Sequence, residues 1–468
     1  MHSRNFPESR KVLLLLGDIC LQALAYMAAT AICWHSPVFS TSLTLYLTYY
    51  NGMLPLIWVL TALIFNINGL YSIGRKRFAE IILSVGVSLF SVFVLVMFIS
   101  LPVAAFDGLR FAIFLSTVIS FLLLTLWRRF MWQVEHEIHS SQRVIIIGPE
   151  EQCIHIYRRM SQQPQLRYRL KYVCTDMSQA NWQRAIDDVD VVIVCPDIQH
   201  RNKSAILQYC LDKGKQAMLL PDTYAVLCSC VDLDKIDDIP LLTPRDFAPS
   251  VEVRSLKRLL DLVVAAIGFV CALPFMLGTA IAIKIWDLGP ILYSQIRTGK
   301  NGREFRVYKF RTMRVDAEKY SGPQLSTEND PRITKLGRFL RAVRLDELPQ
   351  IWNVLNGDMS IVGPRPERPF FVEQFQREIP AYKYRHNVKP GITGLAQVYG
   401  KYNTTPYDKL VYDLLYIQRC GIMLDLSIII QTVKVLFTKS ATEGVGYDQR
   451  DIDLSEIDVS KSNIYGDF

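Results

Sequence analysis

The sequence predicts a membrane protein whose first third is a bundle of four transmembrane helices and whose middle is a Rossmann-like α/β domain. Half of the 468 residues are hydrophobic, and the mean hydropathy of +0.17 is high for a chain with 21% charged residues. Long apolar segments occur only in the first third and in one later stretch. Between these two regions, strand-like and helix-like patterns alternate, which is typical of a parallel sheet covered by helices.

The four N-terminal segments each contain about twenty apolar residues, the length that crosses a bilayer as a helix. Basic residues precede the first segment, separate the second from the third and end the fourth, whereas the other two connections hold only Arg110. The positive-inside rule then predicts a cytoplasmic N-terminus, four crossings and a cytoplasmic remainder. We assign residues 1–135 to this bundle. The predicted spans are about 12–34, 45–65, 81–101 and 111–132.

Residues 143–250 are predicted to form a Rossmann-like cytoplasmic domain. The run "RVIIIG" reads as a buried strand ending in glycine, "VDVVIVCPD" repeats the pattern, and a helix-like segment follows each. Gly148 is followed by Pro149, Glu150 and Glu151, so the sequence offers no GxGxxG loop, and the acids would repel a pyrophosphate. We therefore expect a structural or regulatory domain.

The next apolar stretch, residues 256–286, is long enough to span a membrane. Basic residues flank both ends, however, and a crossing would place one set on the wrong side. Pro274 lies near the midpoint, where it removes a helix hydrogen bond and bends the axis. We predict a re-entrant hairpin that enters one leaflet, breaks at Pro274 and returns; a crossing is the alternative.

Beyond residue 290 the chain is strongly basic and then presents two adjacent acids, Asp346 and Glu347, at the start of an apolar run with helical spacing. The bases alone could form a solvated strand face or a nucleic-acid patch. The acids could be the polar first turn of a helix or reagents. Acids close to so many bases are expected to be ionised, and hence available as metal ligands or nucleophiles. Pro-Arg-Pro around Arg365 suits a guanidinium that holds a phosphate.

The segment from about residue 256 to residue 437 resembles the bacterial sugar transferase family. Its members are monotopic phosphoglycosyl transferases, which move a sugar 1-phosphate from a UDP-sugar to polyprenyl phosphate. The resemblance implies a mixed α/β catalytic domain, residues 251–439, with the re-entrant helix at 256–286. The N-terminal helices and middle domain resemble the large members that start exopolysaccharide or O-antigen repeat units. The matching motifs are "LKRLLDLV", "VYKFRTMR", "NDPRITKLGRFLR", "RLDELPQIWNVLNGDMSIVGPRP" and "KPGITGLAQVYG".

The resemblance also implies roles for individual residues. Asp346 would attack the β-phosphate of the UDP-sugar and release UMP, and undecaprenyl phosphate would then take the phosphosugar from Asp346. Glu347, with Asp346, would hold Mg²⁺. The family has serine where Leu273 precedes Pro274 here. The implied phosphate contacts are Arg341, Arg365, Lys309, Arg311 and Lys389, and Lys257, Arg258 and Asp261 match the motif where the chain enters the membrane, with interfacial anchoring as the alternative.

The implied partners are a UDP-sugar, undecaprenyl phosphate and membrane lipid, with no nucleic acid and with a homodimer as an option. The implied location is the bacterial inner membrane, with the catalytic domain on the cytoplasmic face. Glucose is the expected sugar, and galactose or another sugar is the alternative. A catalytically spent scaffold or a nucleic-acid-binding protein would lack the acid pair or the Pro-Arg-Pro. Residues 440–468, with seven acids and two bases, are expected to form an acidic tail.

Overall fold

The computed structural model describes residues 6–34, 43–71, 76–100, 107–138, 141–175, 181–315, 330–400, 404–436 and 464–465. The chain divides into two compact units, residues 1–220 with 450–468, and residues 221–449. Apart from residues 464–465, the predicted acidic tail lies outside the described residues.

The first part of unit 1 consists of four long helices. Small and apolar side chains on one face of each helix, such as Leu14, Ile81 and Leu124, are fully buried. Large apolar side chains on other faces, such as Phe90 and Leu126, are more than 60% exposed, as in helices that face lipid. The bounds are α1 Phe6–Trp34, α2 Leu43–Ile67, α3 Phe78–Ser100 and α4 Asp107–Ile138.

Among the described residues, four helices are long and apolar enough to cross a membrane: Ser9–Cys33, Phe78–Ser100, Arg110–Glu137 and Val251–Trp286. The described side chains of α2 form a shorter apolar helix, Gly52–Ile67. These helices make the chain a membrane protein in character, as the sequence predicts.

The second part of unit 1 is a parallel sheet covered by helices. The strand order is β2-β1-β3-β4, and a short antiparallel strand, β11, pairs with β2. The β-branched run 144–147 is buried on both faces, which a parallel sheet requires. The Rossmann-like classification stays a prediction. The bounds are β1 Gln142–Ile147, α5 Glu150–Ser161, β2 Tyr168–Cys174, α6 Asn181–Asp187, β3 Val191–Val194, α7 His200–Asp212, β4 Gln216–Leu219 and β11 Ile464–Tyr465, with a 3-10 turn at Pro164–Leu166.

Gly148, which follows β1, has a packing function in this sheet. Its φ is +156°, and a Cβ at this position would lie 2.3 Å from Cβ of Cys195. A glycine is therefore required for the close approach of the two segments. The close contact with Cys195 therefore explains the presence of Gly148, and no nucleotide-binding loop is needed to explain it.

Unit 2 is a mixed α/β domain, as the sequence predicts, and it begins at Pro221, before the predicted boundary at residue 251. The reason is that α8 is bound to a helix of this domain: Gln418 Nε2 donates to the carbonyl of Val226, 2.8 Å away. The bounds are α8 Thr223–Leu227, β5 Val231–Ile236, β6 Ile239–Pro244, α9 Val251–Trp286, β7 Leu292–Thr298, β8 Glu304–Phe310, α10 Lys335–Ala342, α11 Gln350–Asn356, β9 Ser360–Val362, α12 Pro369–Glu378, β10 Gly391–Thr393, α13 Leu395–Tyr399, α14 Pro406–Gln418 and α15 Ile422–Leu436, with 3-10 segments at Lys300–Gly302, Leu345–Glu347 and Pro380–Asn387.

Helix α9 is one uninterrupted helix of 36 residues with Pro274 inside it, so the predicted break at Pro274 is not confirmed. One face is buried along nearly the whole length, at residues 257, 261, 265, 272, 279 and 283. The other faces expose large apolar side chains, among them Phe275 and Trp286. The spacing of four and seven residues is that of a helix lying against a domain. The path of α9 relative to a membrane stays a prediction.

Candidate active site

The two adjacent acids lie on a tight turn between α10 and α11. Residues 345–347 form one turn of 3-10 helix, and Arg344 before it has a left-handed backbone conformation, with φ 55°. This conformation is unfavourable for a residue with a side chain, and such residues cluster at functional sites. Helix α11 begins at Gln350, and no side chain caps its N-terminus. The acids are therefore not side-chain caps of α11.

Three cations surround the Glu347 carboxylate, whose side chain is 11% exposed. Arg365 Nη2 lies 2.5 Å and Lys309 Nζ 2.9 Å from Oε1, and Arg344 Nη1 lies 3.6 Å from Oε2. Burial opposes the charge of Glu347, but Arg365 and Lys309 outweigh this effect, so its pKa lies well below its ordinary range. Glu347 is thus an ionised acid whose charge is more than balanced by its neighbours.

Asp346 is in a different situation, although it is the next residue. Its side chain is buried, and within the described part of the chain its carboxylate accepts no hydrogen bond and forms no ion pair. Burial, with Glu347 beside it, raises the pKa of Asp346, and Lys309, Arg341 and Arg365 partly offset this rise. The nearby bases thus favour ionisation of Asp346, while burial and Glu347 oppose it; that this acid is ionised stays a prediction. Its oxygens are free to bind an incoming group.

Lys309 is positioned by an asparagine that sequence reasoning missed. Asn353, fully buried on α11, accepts from the backbone N–H of Tyr308 at 3.1 Å and donates to the carbonyl of Arg306 at 2.7 Å. The Asn353 amide thus hydrogen-bonds to the backbone of β8 in the way that a neighbouring strand would. These bonds fix Lys309 next to Glu347. The only signal in the sequence is a polar residue on the apolar face of "IWNVLN".

Arg341 lies in the last turn of α10, close enough to Asp346 to lower its pKa. Its Nε donates to Thr312 Oγ1 at 2.9 Å. The approach of α10 to this segment requires Gly337, because a Cβ there would lie 2.0 Å from the carbonyl oxygen of Thr312. The structure therefore brings together Asp346, Glu347, Arg341, Lys309 and Arg365 of the predicted site.

Arg311 and Lys389 have other contacts. Arg311 donates from Nη2 to the carbonyls of Asp287 and Leu288, at 3.0 and 2.9 Å, and so caps the C-terminal end of α9. Lys389 Nζ lies beside Gly357, at the C-terminal end of α11, together with Arg258. Burial and Arg258 lower the pKa of Lys389.

Three residues of the predicted membrane-entering motif attach α9 to the domain. Lys257 Nζ forms a buried ion pair with Asp425, 2.5 Å away. Arg258 donates to the last carbonyls of α11, those of Val354 and Leu355, at 2.7 and 2.9 Å. Asp261 accepts from Ser360 Oγ and from the N–H of Ile361, both at 2.9 Å. These contacts position α9 next to α11 and hence next to the acid pair.

The donor set for a metal ion at the turn consists of two carboxylates. Among the described residues there is no group of three or more His, Cys, Asp or Glu side chains that could hold a metal. Mg²⁺ commonly binds through one or two carboxylates and completes its shell with substrate phosphates and water. The free Asp346 carboxylate and Glu347 Oε2, whose single contact within the described segments is the 3.6 Å contact to Arg344, fit this pattern.

Comparisons with known proteins identify the family of this chain. The sequence profile of the family "Bacterial sugar transferase" matches residues 252–439. A UDP-glucose:undecaprenyl-phosphate glucose-1-phosphate transferase of Xanthomonas campestris pv. campestris is 33% identical over 344 residues, 68% of this chain and 71% of the relative. The chain therefore belongs to the bacterial sugar transferase family.

Two further relatives carry other sugar names. A UDP-N-acetylgalactosamine-undecaprenyl-phosphate N-acetylgalactosaminephosphotransferase of Aeromonas hydrophila is 42% identical over 207 residues, 44% of this chain. A galactosyl transferase, CpsE, of Streptococcus agalactiae is 44% identical over 192 residues, 38% of this chain. The chain spans 49% and 42% of the lengths of these two relatives.

Proposed function

We propose that this protein transfers a sugar 1-phosphate from a UDP-sugar to undecaprenyl phosphate, giving undecaprenyl-diphospho-sugar and UMP. The observation that carries the proposal is the Asp346 carboxylate, which is buried without a partner in the described structure, next to Glu347 and its three cations. A free carboxylate next to excess positive charge suits attack on an anionic phosphate. The names of the curated relatives support the same substrates.

The proposed reaction has two steps. An oxygen of the Asp346 carboxylate forms a bond to the β-phosphorus of the UDP-sugar, and the bond from that phosphorus to the bridging oxygen breaks, so that UMP leaves with that oxygen. A phosphate oxygen of undecaprenyl phosphate then bonds to the same phosphorus and displaces the Asp346 carboxylate. Lys309, Arg341 and Arg365 stabilise the negative charge at the phosphorus throughout, which reduces the repulsion between anions. Each displacement leaves the proton balance unchanged.

Asp346 and Glu347 are the residues that would hold Mg²⁺. When bound, Mg²⁺ neutralises diphosphate charge and thereby makes UMP a better leaving group. Because Glu347 Oε1 is already bound by Lys309 and Arg365, Oε2 is the oxygen of Glu347 that would remain available to a metal. Arg365 and Arg341 are the proposed phosphate contacts; we assign Arg311 a role in positioning α9.

We propose glucose as the sugar, because the relative of which this chain covers 71% is named for UDP-glucose. Galactose and N-acetylgalactosamine are the alternatives, which other relatives support. The proposed setting is the bacterial inner membrane, with unit 2 on the cytoplasmic face and α9 re-entrant in one leaflet. The reaction would be the first membrane step in assembling a polysaccharide repeat unit, in a protein that could act as a homodimer.

The test uses purified full-length protein in nanodiscs with Mg²⁺, undecaprenyl phosphate and a panel of UDP-sugars, and it measures UMP. We expect UMP from one sugar, most readily UDP-glucose, no UMP from Asp346→Asn, and loss of the reaction with EDTA. Asp358→Asn, an exposed acid of the same segment, is the control and should behave like wild type. Absence of UMP with every sugar would favour a spent scaffold instead.

A further inference from the structure

The backbone of the loop around Arg365 is held through its carbonyl groups, in addition to the side-chain ion pairs of Arg365 with Glu347 and of Glu367 with Arg297. Four consecutive carbonyls, those of residues 364–367, each accept one hydrogen bond from another segment. Pro364 and Pro366 have no N–H, so the loop cannot be fixed by donating from those positions. Its position must instead come from donors that reach it from outside.

Two of these donors are backbone groups and two are arginines. The N–H of Gly391 donates to Pro364 and that of Thr298 to Glu367, both at 2.9 Å. The side chain of Arg297 donates from Nη1 to the carbonyl of Pro366 at 3.0 Å. The carbonyl of Arg365 itself accepts from the second arginine.

This second arginine is Arg385, which is buried with Asp413. Arg385 donates from Nη2 to the carbonyl of Arg365 at 2.9 Å. Its Nε and Nη2 lie 3.0 and 2.8 Å from Asp413 Oδ2, and its Nη1 donates to Tyr382 Oη at 2.6 Å. The exposed fractions of the two charged side chains are 5% and 2%. A planar guanidinium with this many occupied donors has a fixed orientation, which an ammonium group cannot reproduce.

We infer that Arg385, held by Asp413, is a positioning residue that acts through Arg365. It fixes the backbone of Arg365 so that the Arg365 guanidinium stays on Glu347 and faces the phosphate that Asp346 attacks. A buried charge pair seldom adds net stability over apolar residues of the same size, so its use here as an orienting device is the stronger explanation. The inference rests on the proposed function, in which Arg365 contacts phosphate.

A double-mutant cycle tests this coupling, with kcat/KM for UMP release as the readout. We expect Arg385→Lys to lower kcat/KM at least tenfold in the wild-type background and less than threefold in the Arg365→Ala background. The smaller loss is expected because the Arg365 guanidinium, which Arg385 positions, is absent from the second background. Asp413→Asn should give a smaller loss with the same dependence on Arg365. Leu414→Ala, a truncation of the buried core next to Asp413, controls for lost stability and should give equal factors in both backgrounds.

A second readout does not depend on activity. Hydrogen exchange of peptides that cover residues 360–372 should be faster in Arg385→Lys than in Leu414→Ala, when the two variants are compared at equal distance below their melting temperatures. Equal loss of kcat/KM in both backgrounds, or unchanged exchange of the loop in Arg385→Lys, would overturn the positioning role. Wild-type protein that releases no UMP would overturn the proposed function, and the exchange experiment would still decide the position of the loop.

Discussion

Buried charges occur in both units of this protein, and the two sets differ in their balance. In the helical bundle, Arg128 is fully buried and forms an ion pair with Asp18 at 2.5 Å. Its guanidinium also lies over the rings of Phe65 and Tyr71, at 5.6 and 5.5 Å from their centroids. One base is thus paired with one acid, and the faces of two aromatic rings pack against the guanidinium.

At the candidate active site, by contrast, one acid meets three bases. Glu347 contacts Arg365, Lys309 and Arg344, and the second acid, Asp346, has no such partner within the described residues. In the balanced pair the two charges neutralise each other, although Asp18 Oδ1 and the Nε and Nη1 atoms of Arg128 have no hydrogen-bond partner among the described residues. Surplus positive charge, by contrast, attracts an anion. The balance of charge, more than burial, therefore distinguishes a site for an anionic substrate from a structural pair.

The largest effect is expected on removing the free acid. Asp346→Asn should lower the rate of UMP release by about 10³-fold or more, because the amide oxygen is a poor nucleophile. The melting temperature should change little, since the carboxylate has no hydrogen bond to lose. UMP assays and thermal unfolding of the same preparation check both. A rate within tenfold of wild type would contradict the role of Asp346.

The next largest effect is expected on removing part of the surplus charge. Arg365→Ala should lower kcat/KM by about 10²-fold, in line with the loss of one donor to a developing charge. A lysine at this position would keep the charge but lose the fork geometry, so Arg365→Lys should recover only part of the activity. Steady-state kinetics with the preferred UDP-sugar measure both variants. Full activity of Arg365→Ala would mean that the surplus charge is not used.

The pH dependence should report the same charge. Asp346 is active as the carboxylate, and its pKa is raised, so kcat/KM should fall as the pH drops through that raised pKa. Lys309→Met removes a cation that lowers the pKa of Asp346, so the acidic limb of the profile should move to higher pH. Profiles of kcat/KM for wild type and variant test this. A limb that stays in place or moves to lower pH would contradict the assignment.

In the bundle, the expected effect is on stability and hardly on catalysis. Arg128→Leu leaves Asp18 buried without its partner, which should cost about 3–5 kcal/mol of folding free energy. The double variant Asp18→Leu/Arg128→Leu should regain most of that loss, while UMP release per folded molecule stays within about twofold of wild type. Thermal unfolding in detergent, with UMP assays below the transition, measures both quantities. Activity lost selectively in the double variant would show that this pair is not merely structural.

The smallest effect is expected at Lys389, which the sequence resemblance places at the phosphate. Its charged neighbours are Arg258, Asp261, Lys300 and Asp358, and the acids of the turn are not among the groups that shift its pKa. Lys389→Met should therefore change kcat/KM by less than about threefold. A loss comparable to that of Arg365→Ala would extend the substrate-binding surface to this lysine.

Much of this architecture could be predicted from local patterns. Apolar length predicted the helices of the bundle, and the spacing within "RLDELPQIWNVLN" predicted a helix there, although the acids lie on the 3-10 turn that precedes it. The surroundings of each acid could not be predicted from local patterns, because the neighbouring cations Lys309 and Arg365 come from distant segments of the chain. The burial of Asp346 depends on tertiary packing, which cannot be derived from the sequence. The opposite pKa shifts of the two acids are therefore visible only in the folded domain.

The different roles of individual arginines were the hardest feature to predict from the sequence alone. Arg311 and Arg365 lie in similarly basic motifs, yet one binds the end of α9 and the other binds Glu347. Arg385 carries no motif-level signal for its contact with Arg365, because that contact joins a side chain to a carbonyl 20 residues earlier in the chain. The sequence likewise did not indicate that α9 continues through Pro274.

In the proposed mechanism, the free carboxylate of Asp346 becomes bonded to the phosphosugar. This bond formation is tested most directly by incubating the protein with UDP-glucose and Mg²⁺ in the absence of undecaprenyl phosphate, followed by peptide mass spectrometry under mildly acidic conditions. The account predicts a mass increase of one hexose phosphate on the peptide that contains Asp346, which is absent in Asp346→Asn and disappears when undecaprenyl phosphate is added. UMP release that requires both substrates together, with no adduct on that peptide, would contradict it.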